Sequence, residues 1–185
     1  MFIETEQTPN PATLKFLPGR SVMAQGTADF TSPEAAERSP LAQRLFQVEG
    51  ISGVFLGSDF VTVTKAEPKT WQTLKPAILG IIMEHFAANR PVILDSAAAP
   101  TVPATEGEDS EIVTQIKELL ETRVRPAVAQ DGGDIIFQGY EDGVVFLHLQ
   151  GSCAGCPSST ATLKMGIENM LKHYVPEIVE VRAVA

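Results

Sequence analysis

Residues 144–160 read VVFLHLQGSCAGCPSST, and this stretch decides the fold of the C-terminal part of the chain. Its first seven residues are rich in β-branched and apolar side chains, which predicts a strand. Pro157 suits the first turn of a helix, because a residue there needs no partner for its N–H group. The sequence therefore predicts a strand, a short loop that carries two cysteines, and a helix, in that order.

The segments on either side complete one small domain. The apolar run 135–140 precedes Glu141-Asp142-Gly143, a turn sequence, so it forms a hairpin with the strand that follows. An amphipathic helix over 112–120 comes before this hairpin and is broken by the turn Asp131-Gly132-Gly133-Asp134. The alternating segment 178–184 closes the domain as a strand. The predicted order is α-β-β-α-β, an α+β fold with helices on one face of a small sheet.

Residues 94–109 separate this domain from an N-terminal one. They read LDSAAAPTVPATEGED, with several prolines and acidic residues and no aromatic or basic residue. That composition predicts a flexible linker. The chain is therefore divided into an N-terminal domain over 1–93, the linker over 94–109 and a C-terminal domain over 110–185.

The N-terminal domain also mixes strands and helices. The alternating segment 12–17 predicts a half-buried strand, and Ser39-Pro40 predicts the start of a helix. A longer helix begins near Trp71, although Pro76 should strain or shorten its first turns. The segment Pro91-Val92-Ile93-Leu94 predicts a last strand. The fold class is accordingly two small α+β domains joined by a flexible linker.

Composition excludes several classes of function. The formal net charge is −9, and no basic stripe is visible, which argues against a nucleic-acid partner. No apolar run reaches the ~18 residues that a membrane span requires. The opening MFIETEQTPNP has neither a signal-peptide nor a transit-peptide pattern. We therefore expect a bacterial cytoplasmic protein, or the mature form of a mitochondrial one.

Cys153 and Cys156 are the only cysteines and carry the chemistry of the chain. A disulfide between such near neighbours would close a very small loop and stabilise little, so a reducing compartment is expected. Free N–H groups at the start of the following helix favour thiolate over thiol. Thiolate is the form that ligates metal and attacks disulfides.

Three functions remain open for this cysteine pair. An iron–sulfur cluster usually needs four thiolates, so a cluster would lie between two copies of the chain. A structural zinc also needs about four ligands, from two chains or with help from His148. Thiol–disulfide exchange needs only one pair, but no βαβ unit precedes the motif, and 76 residues leave little room for a redox domain.

Other polar residues are assigned structural roles. The run Asp131–Asp134 is read as a turn rather than a metal site, because consecutive positions on a turn rarely converge on one ion. His148 is read as an ordinary strand histidine, and Thr8-Pro9-Asn10-Pro11 as a rigid extended turn. No catalytic triad, phosphate loop or carboxylate pair has supporting spacing, so no enzymatic activity is expected.

The segments DGGDI (131–135) and GSCAGCPSSTATLK (151–164) resemble the C-terminal domain of the NifU-like (Nfu) iron–sulfur proteins. The opening MFIETEQTPNPATLKFLPG, with DFVTVTK and WQTLKP further on, resembles the N-terminal domain of the same family. The resemblance covers nearly all of the chain except the linker.

This resemblance implies a scaffold or carrier. It implies a [4Fe–4S] cluster held by Cys153 and Cys156 from each of two subunits, in a homodimer. It also implies upstream cluster assembly proteins as donors and apo iron–sulfur proteins as recipients. Larger NifU proteins have further cysteine-bearing modules that this sequence lacks, so functions of those modules are not expected.

Overall fold

The computed structural model describes residues 2–94, 109–152 and 157–184 and divides the chain into two compact units, 1–99 and 100–185. Each unit mixes strands and helices, which confirms the prediction of two α+β domains. Residues 95–108 of the predicted linker lie outside the described residues, whereas Asp109, its last residue, already begins a helix. The boundaries predicted at residues 93 and 110 stay predictions.

The first unit contains a five-stranded antiparallel sheet in the order β1-β2-β5-β4-β3. The strands are β1 (Glu4–Gln7), β2 (Thr13–Leu17), β3 (Ala28–Phe30), β4 (Ile51–Leu56) and β5 (Val61–Lys65). Along β2, Leu14 and Phe16 enter the core, as the sequence pattern predicted. The strand is not half-buried, however, because Thr13 and Lys15 on its other face are also buried. A 3₁₀ turn (Ala35–Arg38) and helices α1 (Pro40–Phe46) and α2 (Trp71–Ala87) complete the unit.

Ser39 begins α1 in the predicted way. Its Oγ accepts a hydrogen bond from the Ala42 N–H at 3.1 Å, and Pro40 occupies the first helical position. The prediction that Pro76 would shorten the longer helix is wrong, because α2 continues through it from Trp71 to Ala87.

The prediction of a strand at Pro91–Leu94 is also wrong. The hydroxyl of Ser39 donates to the Val92 carbonyl at 2.7 Å, and the Leu94 N–H donates to the Arg38 carbonyl at 2.8 Å. Pro91 has no N–H group to give to a sheet. The segment therefore packs across the start of α1 instead of extending the sheet.

The second unit has the predicted order α-β-β-α-β, with its first helix in three parts. These are α3 (Asp109–Leu119), a π-helical turn (Leu120–Val124) and α4 (Arg125–Gln130). Then follow β6 (Gly133–Glu141), β7 (Val144–Gly151), α5 (Pro157–Tyr174) and β8 (Glu180–Val184). β6 pairs with β7 antiparallel, and β7 pairs with β8 parallel.

The predicted hairpin is confirmed in its turn geometry. Asp142 and Gly143 have φ angles of 48° and 81°, the left-handed backbone that a two-residue hairpin turn requires. Alternate residues of β7, namely Val145, Leu147 and Leu149, face the helices and are buried. This pairing fixes where β7 ends and therefore where the cysteine loop begins.

Among the described residues, no helix is both long enough and apolar enough to span a membrane.

Candidate functional site

The predicted ligands Cys153 and Cys156 lie outside the described residues. The described part of the site consists of the residues on either side of them. β7 ends at Gly151, and α5 begins at Pro157, so the loop that carries the cysteines connects the central strand of the sheet to the longest helix of the unit. The strand before the cysteines and the helix after them are those that the sequence predicted.

A tight turn at Asp131–Asp134 holds the residue that precedes Cys153. Ser152 donates from its N–H to the Gly132 carbonyl at 3.3 Å and from its hydroxyl to the Asp131 carbonyl. Gly133 lies directly opposite Gly151 in the β6–β7 register. Only 1% of Ser152 is exposed. The turn therefore fixes the position of the chain where it enters the cysteine loop.

Glycine is required within this turn. Gly132 has a φ of 80°, in the left-handed region where residues with a Cβ are disfavoured. This backbone reverses the chain between the end of α4 and the start of β6. The interpretation of this run as a structural turn agrees with the geometry. Among the described residues, no three His, Cys, Asp or Glu side chains form a group that could hold a metal ion.

Arg125 on α4 is joined to this turn by a two-pronged ion pair. Its Nε and Nη2 donate to Oδ1 and Oδ2 of Asp134, both at 2.9 Å. Its Nη1 donates to the Glu121 carboxylate at 2.6 Å. The Asp134 side chain is 4% exposed and that of Arg125 is 32% exposed, so the carboxylate is shielded from water while the guanidinium is partly solvated. The hydrogen bonds that Arg125 donates to Asp134 raise the pKa of Arg125 above its ordinary value, and those that it donates to Glu121 add to this effect.

The π-helical turn places Arg125 opposite Asp134. The Arg125 N–H donates to the Leu120 carbonyl, five residues earlier, which is the π pattern. Pro126 follows and has no N–H group for an ordinary helical hydrogen bond. Sequence reasoning missed both Arg125 and Ser152 as parts of the site. Pro126, which lies between the amphipathic pattern over 112–120 and the turn at Asp131, was a signal of an irregular helix, but nothing in the sequence pairs Arg125 with Asp134.

His148 lies in β7, directly opposite Ile136 and Val184. Its Nδ1 is 3.2 Å from the Val184 carbonyl of β8, and the side chain is half-buried. This hydrogen bond between neighbouring strands agrees with the interpretation of His148 as an ordinary strand histidine.

Thr8-Pro9-Asn10-Pro11 connects β1 to β2 through hydrogen bonds within the turn. The Thr8 hydroxyl donates to the Asn10 carbonyl at 2.8 Å, and the Asn10 Oδ1 accepts from the Ala12 N–H at 3.0 Å. The Trp71 Nε1 donates to the Pro11 carbonyl at 3.2 Å. These contacts give the motif a structural role in shaping the first unit.

His85 in the first unit is fully buried on α2. Neither of its ring nitrogens has a hydrogen-bond partner among the described residues; the backbone of Pro91 and Arg90 near the ring favours the protonated form, an effect smaller than that of burial. Burial lowers the pKa of His85 below 6.5, and the charges of Arg44 and Arg90 lower it further.

We expect the first unit to lose stability as the pH falls below about 6.5, because the unfolded chain then binds a proton that the folded His85 resists. The slope should stay below about 1.4 kcal/mol per pH unit, the limit for one proton. The fluorescence of Trp71, the single tryptophan, reports urea unfolding of this unit at pH 7.5 and 5.5. His85→Leu should flatten the dependence and His173→Gln should leave it unchanged; equal slopes in wild type and His85→Leu would contradict the assignment.

Two family models match the chain, one within each unit. Residues 3–89 match the model described as "Scaffold protein Nfu/NifU N terminal". Residues 116–182 match the model described as "NifU-like domain", and this range includes the turn at Asp131–Asp134 and both cysteines. The resemblance that the sequence motifs indicated is thereby confirmed.

Relatives that are similar over nearly the whole chain include the following three proteins. "NFU1 iron-sulfur cluster scaffold homolog, mitochondrial" of Homo sapiens is 54% identical, over 96% of this chain and 70% of its own length. "NifU-like protein 5, mitochondrial" of Arabidopsis thaliana is 53% identical, over 96% of this chain and 66% of its own length. The scaffold homolog of Drosophila erecta is 52% identical, over 100% of this chain and 65% of its own length. The chain thus spans about two thirds of the length of these relatives.

Among solved structures, a solution NMR structure of a NifU-like protein from Saccharomyces cerevisiae is similar to this chain. It is 28% identical with a TM-score of 0.47, and the match covers 53% of this chain and 87% of that one.

The prediction of a bacterial cytoplasmic location is wrong. All three relatives described above are named mitochondrial proteins. The prediction rested on the lack of a targeting pattern in the first residues. A targeting segment is removed from a mature chain, so that lack carries no information about the compartment.

Proposed function

Because the chain belongs to the Nfu/NifU-like family of iron–sulfur cluster scaffold proteins, we propose that it binds a [4Fe–4S] cluster between two copies and transfers it to apo-proteins. Cys153 and Cys156 of each copy are the ligands. The cluster is cargo, and the chain acts as a carrier rather than an enzyme. Upstream assembly proteins supply the cluster, and apo iron–sulfur proteins receive it.

The cysteine count carries the proposal. A [4Fe–4S] cluster is held by four thiolates, and the chain has two cysteines. Both lie within the range that matches the NifU-like domain, in the sequence segment between β7 and α5. Two copies that present this loop to each other supply four thiolates. A bound cluster with four thiolate ligands therefore requires a homodimer.

A cluster shared in this way is suited to delivery. Each copy contributes half of the ligands, so separation of the copies leaves the cluster with two thiolates. Cysteines of a recipient can then complete its ligand set. Of the two locations that the sequence left open, the relatives support the mitochondrial one.

Anaerobic reconstitution tests the proposal. We expect iron and sulfide to give a brown dimer with about four irons and four sulfides per two chains, the composition of one [4Fe–4S] cluster. Mössbauer spectroscopy identifies the cluster, and sedimentation gives the oligomeric state. Incubation with an apo-protein that requires a [4Fe–4S] cluster should then restore that protein's activity.

The other functions that the cysteine pair left open predict different results. A zinc-linked module isolated without oxygen would contain zinc and no iron. A dithiol oxidoreductase would turn over in an insulin reduction assay and cycle at a defined potential. A colourless monomer without acid-labile sulfide after reconstitution would overturn the carrier proposal.

A further inference from the structure

We propose that Arg125 is a positioning residue for cluster binding, because its ion pair with Asp134 holds the turn that anchors the start of the cysteine loop. This inference rests on the proposed function for its link to the cluster. Its structural part concerns three described residues, Arg125, Asp134 and Ser152, which we call the clasp.

The first step is from Arg125 to the start of β6. Both oxygens of the Asp134 carboxylate accept from Arg125 at 2.9 Å, and Oδ1 also accepts from the Ile135 N–H at 2.8 Å. These bonds tie α4 to the first residues of β6 on a carboxylate that is 4% exposed. Removing Arg125 would leave the shielded Asp134 carboxylate without its counter-charge, and the two parallel hydrogen bonds favour one placement of α4 against the start of β6.

The second step is from the start of β6 to Ser152. Asp131 and Gly132 offer their carbonyls to the hydroxyl and the N–H of Ser152. In the β6–β7 pairing, Asp134 lies opposite Gln150 and Gly133 lies opposite Gly151, so these two hydrogen bonds follow directly after the last strand pair. A shift of the turn is therefore transmitted to Ser152.

The third step is from Ser152 to the thiolates. Ser152 is bonded covalently to Cys153, so its position sets where the backbone of the first ligand begins. A ligand set must be held within about 0.5 Å of its productive geometry to bind well. Residues that orient metal ligands typically change metal affinity about 10- to 100-fold when they are substituted. We expect an effect of this size from the clasp.

The two-pronged geometry requires arginine. A guanidinium presents two parallel N–H groups to one carboxylate, whereas a lysine ammonium is a single point of charge. Arg125→Lys keeps the charge and loses the paired geometry. Arg182 offers a matched control, because it also pairs with a carboxylate of the same unit, Glu180 at 3.3 Å, but its side chain is 56% exposed.

The test uses the full chain with Arg125→Lys, Asp134→Asn, Ser152→Ala and the control Arg182→Lys. Amide hydrogen exchange at Ser152 is measured in the apo protein, and the half-life of the bound cluster is measured in the presence of an iron chelator. In Arg125→Lys and Asp134→Asn we expect exchange at Ser152 about tenfold faster and a cluster half-life at least about tenfold shorter. Exchange at Leu147 in the middle of β7 should stay protected, which shows that the unit remains folded.

Ser152→Ala removes only the hydroxyl bond to the Asp131 carbonyl and should shorten the cluster half-life, whereas Arg182→Lys should stay within about twofold of the wild type. Unchanged exchange at Ser152 in Arg125→Lys would overturn the clasp. If the two charge variants do not fold, a wild-type half-life in Ser152→Ala overturns it instead. If wild-type protein takes up no cluster, the proposed function fails, and exchange at Ser152 in the apo protein still decides the clasp.

Discussion

Replacing either cysteine by alanine is expected to reduce bound iron and sulfide to background. Cys153→Ala or Cys156→Ala leaves one thiolate per chain, so a dimer supplies two of the four that a [4Fe–4S] cluster requires. Iron and acid-labile sulfide per chain after anaerobic reconstitution measure the loss. Sedimentation of the same samples should show a monomer, because the cluster no longer joins two copies.

The fold of the variants should be unchanged. The core of the second unit is formed by described side chains from α3, α4, α5 and the three strands. Far-UV circular dichroism and the urea midpoint should therefore match the wild type. Ser159→Ala, three residues after Cys156, is the matched control and should take up a full cluster. A variant without either thiol that still carries inorganic sulfide would contradict the ligand assignment.

The cysteine variants also separate the carrier from a dithiol oxidoreductase. Both functions need the two thiols, so loss of activity alone does not distinguish them. A carrier loses iron, sulfide and the dimer together, whereas an oxidoreductase loses turnover with no change in metal content. The metal content of the wild-type protein is thus the measurement that decides between them.

Local sequence signals predicted the elements around the site. Asp142-Gly143 supplied the left-handed turn of the β6–β7 hairpin, and Ser39-Pro40 supplied the start of α1. Each of these signals acts over a few neighbouring residues. Their outcome therefore depends little on the rest of the fold.

Contacts between distant segments were not predictable in the same way. The segment Pro91–Leu94 has strand-like residues, but its backbone groups bond to Ser39 and Arg38, more than fifty positions earlier. The pairing of Arg125 with Asp134 depends on a π-helical turn that shifts the helix register. Periodicity describes one element at a time, so it could identify neither the partner of Pro91–Leu94 nor that of Arg125.

The cysteine loop combines both situations. The sequence predicted Cys153 and Cys156 as ligands through the resemblance of their motif to the Nfu family, and this assignment stays a prediction. The anchoring of its first residue by the turn at Asp131–Asp134 became visible only in the β6–β7 register. The proposed ligands thus come from the sequence motif, and the anchoring of the residue before them comes from the fold.

Truncating one core side chain in each unit is expected to destabilise that unit selectively. Phe16 and Leu147 are 0% and 1% exposed, and each belongs to a different core. Phe16→Ala should lower the free energy of unfolding of the first unit by about 3–5 kcal/mol, and Leu147→Ala that of the second by about 2–5 kcal/mol, since each leaves a cavity. Urea unfolding is followed by Trp71 fluorescence for the first unit and by far-UV circular dichroism for both.

Phe16→Ala should move the unfolding transition seen by Trp71 fluorescence to lower urea. Leu147→Ala should leave the Trp71 transition in place. It should instead move to lower urea the part of the circular dichroism transition that comes from the second unit. Leu94→Ala and Val179→Ala truncate apolar side chains that are 64% and 65% exposed, so they should change stability by less than about 0.5 kcal/mol. Leu147→Ala should also impair cluster uptake under conditions that partly unfold the second unit, because β7 carries the loop. Equal shifts of the Trp71 transition in both core variants would show instead that the two cores unfold as one.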